Sequence, residues 1–174
     1  MLEANKLGAL GVMISDRMED ALQGLSPSAA ALLSTLHFKP GTTASQLADI
    51  CAIKQPTAVR LIDGLERREL IVRQAQEGRM IPLVVTSKGH EVIKALQTAR
   101  LAAMETLLAP LENDERAQFA KLLDRILAGA TTNRAFARTT CRLCEHDLCA
   151  PGCCPIGNRA SELEADTQSI SQPN

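Results

Sequence analysis

The sequence predicts a mainly α-helical protein with one small β-hairpin, an α+β fold class. Apolar residues recur every three or four positions along most of the chain, which is the period of amphipathic helices. This period stops near residue 70, where two short β-rich runs follow each other, and it returns after residue 86. The 174 residues are enough for one domain with an appendage.

Four helices are predicted before the hairpin. An apolar stripe over residues 7–25 indicates one long helix. Ser26-Pro27 is suited to begin a second, because Ser is a good N-cap and Pro fits the first helical turn. Thr43 can cap a short third helix. A four-residue break at 52–55 then precedes a fourth helix, with Pro56 in its first turn.

The hairpin and two further helices complete the predicted order. Residues 70–73 and 80–85 indicate two strands, joined by a polar tip at 74–79. A long helix follows and is closed by Pro110. Asn113 is suited to cap the last helix, which carries acids in its first turn, where the helix dipole favours them.

Composition excludes several classes of protein. Apolar residues make up 45% of the chain and charged residues 22%, which argues against wholesale disorder. No apolar run reaches the roughly 18 residues of a membrane span, and no secretion leader is recognisable, so we expect a cytoplasmic protein without a membrane partner. With three Phe, no Tyr and no Trp, base stacking on single-stranded nucleic acid is disfavoured. The three His lack a catalytic pattern, so no enzyme is predicted.

Charge is unevenly distributed along the chain. Residues 54–88 contain seven basic and four acidic residues, a local net charge of +3. Residues 145–174 contain five acids and one Arg, a local net charge of −4. An anionic partner is therefore expected to meet the middle of the chain, although a solvated charged face without a partner would have the same composition.

The order helix, short helix, break, helix and hairpin is that of a winged helix-turn-helix. In this arrangement the helix after the break enters a major groove of double-stranded DNA, and the hairpin tip places a cation in the neighbouring minor groove. Gln55 and Arg60 are suited to base edges, Thr57 to a phosphate or a thymine methyl, and Arg79 to the minor groove. The candidate DNA-binding residues are Lys54, Gln55, Thr57, Arg60, Arg67, Arg73 and Arg79.

Three motifs carry a resemblance to a known family. Residues 61–71 (LIDGLERRELI), 77–79 (EGR) and 83–89 (LVVTSKG) together resemble the MarR family of bacterial transcriptional regulators. Glu69 stands where that family usually has Gly, and a Glu there would not easily adopt positive φ. Glu77 replaces the usual Asp, but the acid-x-Arg pattern of the wing is retained.

The resemblance implies a homodimer that pairs through its first and last helices and binds a pseudo-palindromic operator, most simply as a repressor. We accordingly assign residues 1–25 and 110–138 to a helical dimerisation region. Residues 26–109 form the winged helix-turn-helix domain with its connecting long helix, and 139–174 a cysteine-rich extension with a polar tail. A small-molecule effector, such as the aromatic acids of many relatives, is possible.

Five of the six cysteines crowd into a short segment near the C-terminus: Cys141, Cys144, Cys149, Cys153 and Cys154. Such a cluster in a reducing compartment points to metal or redox chemistry. With Cys154 as the fourth ligand the spacing is close to that of zinc knuckles; with Cys153 the loop also suits an iron–sulfur cluster. A reversible disulfide switch is a third possibility. The isolated Cys51 is predicted to be a core residue.

Three functions are consistent with these patterns. The first is a DNA-binding regulator controlled by the metal or redox state of its cysteines. The second is a regulator that responds to a small molecule and uses zinc only structurally. The third is a protein that handles metal or redox equivalents, or binds proteins through its helices, without DNA as its main partner. Salt-dependent binding to palindromic duplex DNA separates the first two from the third.

Overall fold

A computed structural model of the chain describes residues 1–75, 81–149 and 152–170. These residues form helices on either side of one antiparallel two-stranded sheet. The helices before the sheet are α1 (Leu2–Asp20), α2 (Pro27–Phe38), α3 (Ala44–Ile50) and α4 (Gln55–Arg67). The strands are β1 (Ile71–Arg73) and β2 (Leu83–Val85). The helices after it are α5 (Ser87–Leu108), α6 (Asn113–Ala130), α7 (Arg134–Thr140) and α8 (Pro155–Ile170).

The predicted helix starts are confirmed where the capping signal is local. Ser26 accepts a hydrogen bond from the N–H of Ala29, and Pro27 occupies the first turn of α2. Thr43 forms a reciprocal capping box with Gln46 at the start of α3. Thr86 accepts from the N–H of Gly89 and so caps α5.

The predicted N-cap of α6 was wrong, because the observed N-cap lies one residue earlier in the chain. Glu112, not Asn113, is the N-cap, and Asn113 is the first helical residue. The Glu112 side chain accepts from the backbone of Glu115, whose carboxylate accepts in return from the N–H of Glu112. This capping box satisfies two backbone donors at once, which a single Asn side chain could not do.

The core lies between α2, the helix-turn-helix and the hairpin. Leu32, Leu33 and Leu47 are fully buried there, together with Ile62 from α4 and Leu96 from α5. The register pairs Ile71 with Val85 across the sheet, so both face this core. Cys51 is buried in the same cluster, and burial raises the pKa of its thiol to about 11. It is a core residue, as predicted.

Two helices leave their apolar stripes uncovered. α1 and α6 contain no buried residue in the described chain, although α1 contacts α5, and α6 contacts α8. The exposed large apolar side chains include Leu7 and Val12 on α1 and Leu122, Leu123 and Ile126 on α6. This apolar surface lies on the two elements assigned to dimerisation.

The C-terminal extension contains more structure than the sequence predicted. The last predicted helix is interrupted at Thr131, which is buried, and the chain resumes as the separate helix α7. Part of the predicted polar tail forms α8, which packs on α6 and α7. Ile156 and Ala160 of α8 form a small second core with Ala137 of α7. None of the helices in the described residues has both the length and the apolarity needed to cross a membrane.

Candidate nucleic-acid interface and cysteine segment

The turn between α3 and α4 sets the direction of α4. α3 ends at Ile50, and Ala52 takes a positive φ of 53°. The N–H of Ile53 donates to the carbonyl of Ala48, 3.0 Å away, and the N–H of Ala52 donates to that of Asp49. This pair of bonds is a Schellman motif, which ends α3 sharply and allows α4 to begin after only four residues.

α4 has one buried face and one exposed polar face. Ala58, Ile62 and Leu65 point into the core. The predicted recognition residues lie on the opposite side: Lys54, Gln55, Thr57, Arg60 and Arg67 are all exposed. Within the described chain, Arg60 forms no ion pair, so its guanidinium is available to an outside partner. Arg67 donates to the carbonyl of Asp63 at 3.3 Å and is otherwise directed to solvent.

Arg73 differs from the other candidates because two carboxylates already hold it. Its guanidinium lies 2.5 Å from Asp63 and forms a second ion pair with Glu66, both on α4. The hydrogen bond that Arg73 donates to Asp63 raises the pKa of Arg73 above its ordinary value. The N–H of Arg73 also donates to Glu66 at 3.2 Å. These contacts attach β1 to α4, and sequence reasoning missed them because they join residues seven and ten positions apart across a turn.

The structure describes the base of the wing, but the tip of the wing lies outside the described residues. Residues 76–80 are not described, and they include Arg79, so its predicted minor-groove contact stays a prediction. At the base, the carbonyl of Pro82 accepts from the N–H of Gln74 at 2.9 Å and extends the ladder by one bond. The observed strands are shorter than predicted, because regular pairing covers only three residues of each.

Comparison with known proteins supports the same assignment. A family model described as MarR family matches residues 23–79. The transcriptional repressor MdtR of Bacillus subtilis (strain 168) is 26% identical over 131 residues, which are 73% of this chain and 84% of MdtR. The crystal structure of YusO from Bacillus subtilis superposes with a TM-score of 0.65 at 26% identity, covering 74% of this chain and 93% of YusO. Over its DNA-binding region the chain is similar to the MarR family.

A DNA-bound structure of the same fold is known. The Mycobacterium tuberculosis MarR family protein Rv2887, solved in complex with DNA, aligns at 21% identity with a TM-score of 0.59, covering 71% of this chain and 95% of Rv2887. Rv2887 has also been solved in complex with salicylic acid. The named relatives are transcriptional regulators, not enzymes, in agreement with the prediction for this chain.

The cysteine segment, described at residues 141–149 and 152–154, is docked on the DNA-binding domain. Leu143 packs against the main core. The buried side chain of Gln97 on α5 donates to the carbonyls of Leu143 and Cys144, at 3.3 and 3.4 Å. The ring of His146 stacks on Phe38 at the end of α2, with centroids 4.7 Å apart and planes 9° from parallel. The segment therefore touches both α2 and α5.

The five cysteines are not equivalent. Cys141, Cys144 and Cys154 are half-buried, whereas Cys149 and Cys153 are exposed. A hydrogen bond with Cys141 lowers the pKa of Cys144 to about 6, and nearby Arg100 acts in the same direction. The pKa of Cys141 is raised by its bond with Cys144 and by burial. Within the described residues, no group of three or more His, Cys, Asp or Glu side chains is placed so that it could hold a metal ion.

The structure brings together a histidine pair that the sequence did not predict. His37 lies in the last turn of α2, and His90 lies in the first turn of α5. Their Nδ1 atoms lie 2.8 Å apart, so the end of α2 is bonded to the start of α5. Burial and the neighbouring His90 both lower the pKa of His37. The two residues are 53 positions apart, and no local pattern indicates their contact.

Proposed function

We propose that this protein is a transcriptional repressor that binds a pseudo-palindromic operator as a homodimer in the bacterial cytoplasm. The exposed polar face of α4 carries the proposal. Gln55, Thr57 and Arg60 project from its N-terminal half, and the core packing of Ala58 and Ile62 fixes their direction. An Arg can pair with a guanine edge and a Gln with an adenine edge in the major groove.

The uncovered apolar surface of α1 and α6 supports the homodimer. Pairing these two helices with a second copy across a two-fold axis would remove that surface from water. It would also present two α4 helices to one face of the DNA, as a pseudo-palindromic site requires. The repressor role follows the named function of MdtR, and duplex binding is consistent with the DNA complex of Rv2887.

We further propose that the cysteine segment controls DNA binding through its metal or redox state. Its contacts with α2 and α5 support this, because both helices pack against the core that positions α4. A change in the segment that favours one arrangement of these helices would shift the spacing of the two α4 helices in a dimer.

A small-molecule effector is the second candidate for control. A cavity of about 320 Å³, lined mainly by apolar side chains, lies between α1 and α2, with Ile14, Met18 and Leu143 among its lining residues. Salicylic acid bound to Rv2887 is the precedent. Titration with salicylate should weaken operator binding if this cavity is the control site, and should leave it unchanged if only the cysteines act.

Selection from random duplexes, followed by binding titrations over a salt series, tests the DNA function. Arg60→Ala should cost about 1–3 kcal/mol of binding free energy and relax base preference, since Arg60 is assigned to a base edge. Arg79→Ala should weaken binding with less change in preference. Arg159→Ala on α8, which removes the same charge far along the chain, is the control. If Arg60→Ala and Arg79→Ala both bind as tightly as the wild type at every salt concentration, the assignment is wrong.

Sedimentation of the full chain tests the dimer. Ile126→Glu should shift the protein towards monomer, because it places a charge on the exposed apolar face of α6. Val84→Glu, which changes an exposed apolar residue of β2, should leave the oligomeric state unchanged. A monomeric wild type, or equal behaviour of the two variants, would overturn the proposed interface.

A further inference from the structure

The cavity between α2, α7 and the cysteine segment is lined by positive charge. It measures about 370 Å³, which is within the range of small-ligand sites. Four of its lining side chains are basic: Lys39, Arg134, Arg138 and Arg142. None of its described lining residues is Asp or Glu. A concave site with charges of one sign focuses the electric field and attracts ions of the opposite charge.

Two parts of the chain supply these cations. Arg134 and Arg138 are one helical turn apart on α7, and Arg142 follows shortly after that helix ends. Lys39 comes from the DNA-binding domain, where it is the C-cap of α2. α7 also packs against α3, whose last residue, Ile50, lines the cavity. The cavity therefore lies at the junction of the C-terminal extension and the DNA-binding domain.

One of the four cations is already neutralised. Arg134 forms an ion pair with Glu164 of α8 at 2.7 Å and donates to the hydroxyl of Ser161, also at 2.7 Å. This bond lowers the pKa of Glu164, and Arg138 acts in the same direction from beyond ion-pair distance. Glu164 is therefore engaged by Arg134 and does not neutralise the other three.

The remaining cations have no carboxylate partner. Within the described residues, Lys39, Arg138 and Arg142 form no ion pair. Arg142 is half-buried and donates to the carbonyl of Thr139 at 2.6 Å. Burial, with Arg138 close by, lowers the pKa of Lys39, as expected where positive charges are crowded. A charge that is partly removed from water without a counter-ion is costly, and a bound anion would reduce that cost.

A thiolate from the cavity wall would compensate only part of this charge. Cys144 lines the cavity, and its pKa of about 6 makes it anionic at neutral pH. That thiolate would neutralise one of the three unpaired cations and leave an excess of two positive charges. An excess of two matches an anion that carries two negative charges.

We propose that this cavity binds a small divalent oxyanion, either a phosphate group or a pair of carboxylates, through Lys39, Arg138 and Arg142. Guanidinium groups match the oxygens of both kinds of anion with paired N–H donors. The site is distinct from the mainly apolar cavity between α1 and α2. Its ligand would connect α2 to the C-terminal extension, and any effect of that connection on operator binding rests on the proposed function.

Titration calorimetry of the full chain, without DNA and with the thiols kept reduced, tests the site. The probes are inorganic phosphate, pyrophosphate and succinate, at an ionic strength held constant with NaCl so that general screening does not change. The wild type should bind at least one of them saturably. Binding of phosphate or pyrophosphate but not succinate would assign the phosphate group, and the reverse would assign the dicarboxylate.

Charge-removing variants locate the binding. Lys39→Gln and Arg138→Gln should each weaken it about tenfold, because each removes one charged hydrogen-bond donor. Both side chains are exposed, so neither substitution should unfold the protein. Lys94→Gln, on an exposed position of α5 that is not among the lining residues of the cavity, removes the same charge as Lys39→Gln and should bind like the wild type.

Three results would overturn the proposal. The first is a wild type that binds none of the three probes saturably, and the second is equal weakening in Lys39→Gln and Lys94→Gln. The third is a lower salt dependence of duplex binding in Lys39→Gln and Arg138→Gln without binding of any probe, which would assign these cations to the DNA surface. Because the calorimetry contains no DNA, oxyanion binding by a protein that binds no duplex would contradict the proposed function and leave this site standing.

Discussion

Gln97 on α5 and Leu143 in the cysteine segment are joined by a hydrogen bond of 3.3 Å from the side-chain amide to the main-chain carbonyl. Gln97 is only 3% exposed, and its oxygen also accepts from Arg100 at 3.0 Å. Both partners of Gln97, the carbonyl of Leu143 and the side chain of Arg100, lie in or near the contact between the segment and the DNA-binding domain. This side chain is therefore the most direct polar link between the two parts.

Gln97→Leu should loosen the cysteine segment. The substitution leaves the carbonyls of Leu143 and Cys144 and the guanidinium of Arg100 without this partner, and should lower the free energy of unfolding by about 1–3 kcal/mol. Amide hydrogen exchange over residues 141–149 should become faster. Gln118→Leu, the same change at an exposed position of α6, is the control. Unchanged exchange in Gln97→Leu would show that the segment docks without this bond.

Glu69→Gly should stabilise the protein. Glu69 has a φ of 61° and occupies the left-handed position of a Schellman motif that ends α4, with the N–H of Leu70 bonded to the carbonyl of Leu65. A side chain in this conformation costs about 1 kcal/mol that Gly avoids. The exposed ion pair with Lys88 offsets little of that gain.

Thermal unfolding measures this effect, with Glu69→Ala as its control. The Ala variant loses the same carboxylate but keeps Cβ, so it should show no gain. Equal melting temperatures for Glu69→Gly and Glu69→Ala would mean that the backbone conformation carries no strain.

Gly89→Ala should destabilise the base of the wing. A Cβ at this position would lie 2.1 Å from the carbonyl oxygen of Leu70 and 2.7 Å from Val85. Because the first contact is with backbone, the strand or α5 must move, at a cost of about 1–3 kcal/mol. Chemical denaturation should show this loss, whereas Gly129→Ala, whose Cβ would meet nothing within 4 Å, should show none. A stable Gly89→Ala would refute the close approach of α5 to the backbone of Leu70.

The free energy of unfolding should decrease in acid because His37 is partly buried beside His90. The pKa of His37 is lowered from 6.5 by burial and by His90, with Glu145 and Asp147 opposing the shift. Below about pH 6.5 the unfolded chain therefore takes up a proton at His37 before the folded chain does, and the free energy of unfolding decreases as pH falls. Above that pH both states are neutral at His37 and the effect is absent.

Denaturation of the wild type and of His37→Asn at several pH values isolates this contribution. The variant should lose less stability than the wild type between neutral pH and the acid side of pH 6.5. Parallel curves for the two proteins would show that the pair does not contribute to the pH dependence.

The sequence by itself determined the parts of this protein that depend on neighbouring residues. Ser26, Thr43 and Thr86 cap helices because each side chain reaches an N–H only three residues away. The alternation of buried and exposed positions on α4 follows from the helical period alone. The family motifs lie in one continuous stretch, and for this reason the winged helix-turn-helix was predictable without coordinates.

Only the tertiary structure decided which distant groups meet. Spacing allowed either Cys153 or Cys154 to complete a group of four, and the fold half-buries Cys154 against the N–H of Gly157 and leaves Cys153 exposed. Arg73 was predicted to bind DNA, yet the fold brings Asp63 and Glu66 to it. Gln97 and Leu143 are 46 residues apart. Such contacts depend on how packed helices orient each other, and a local pattern of residue types carries no information about that orientation.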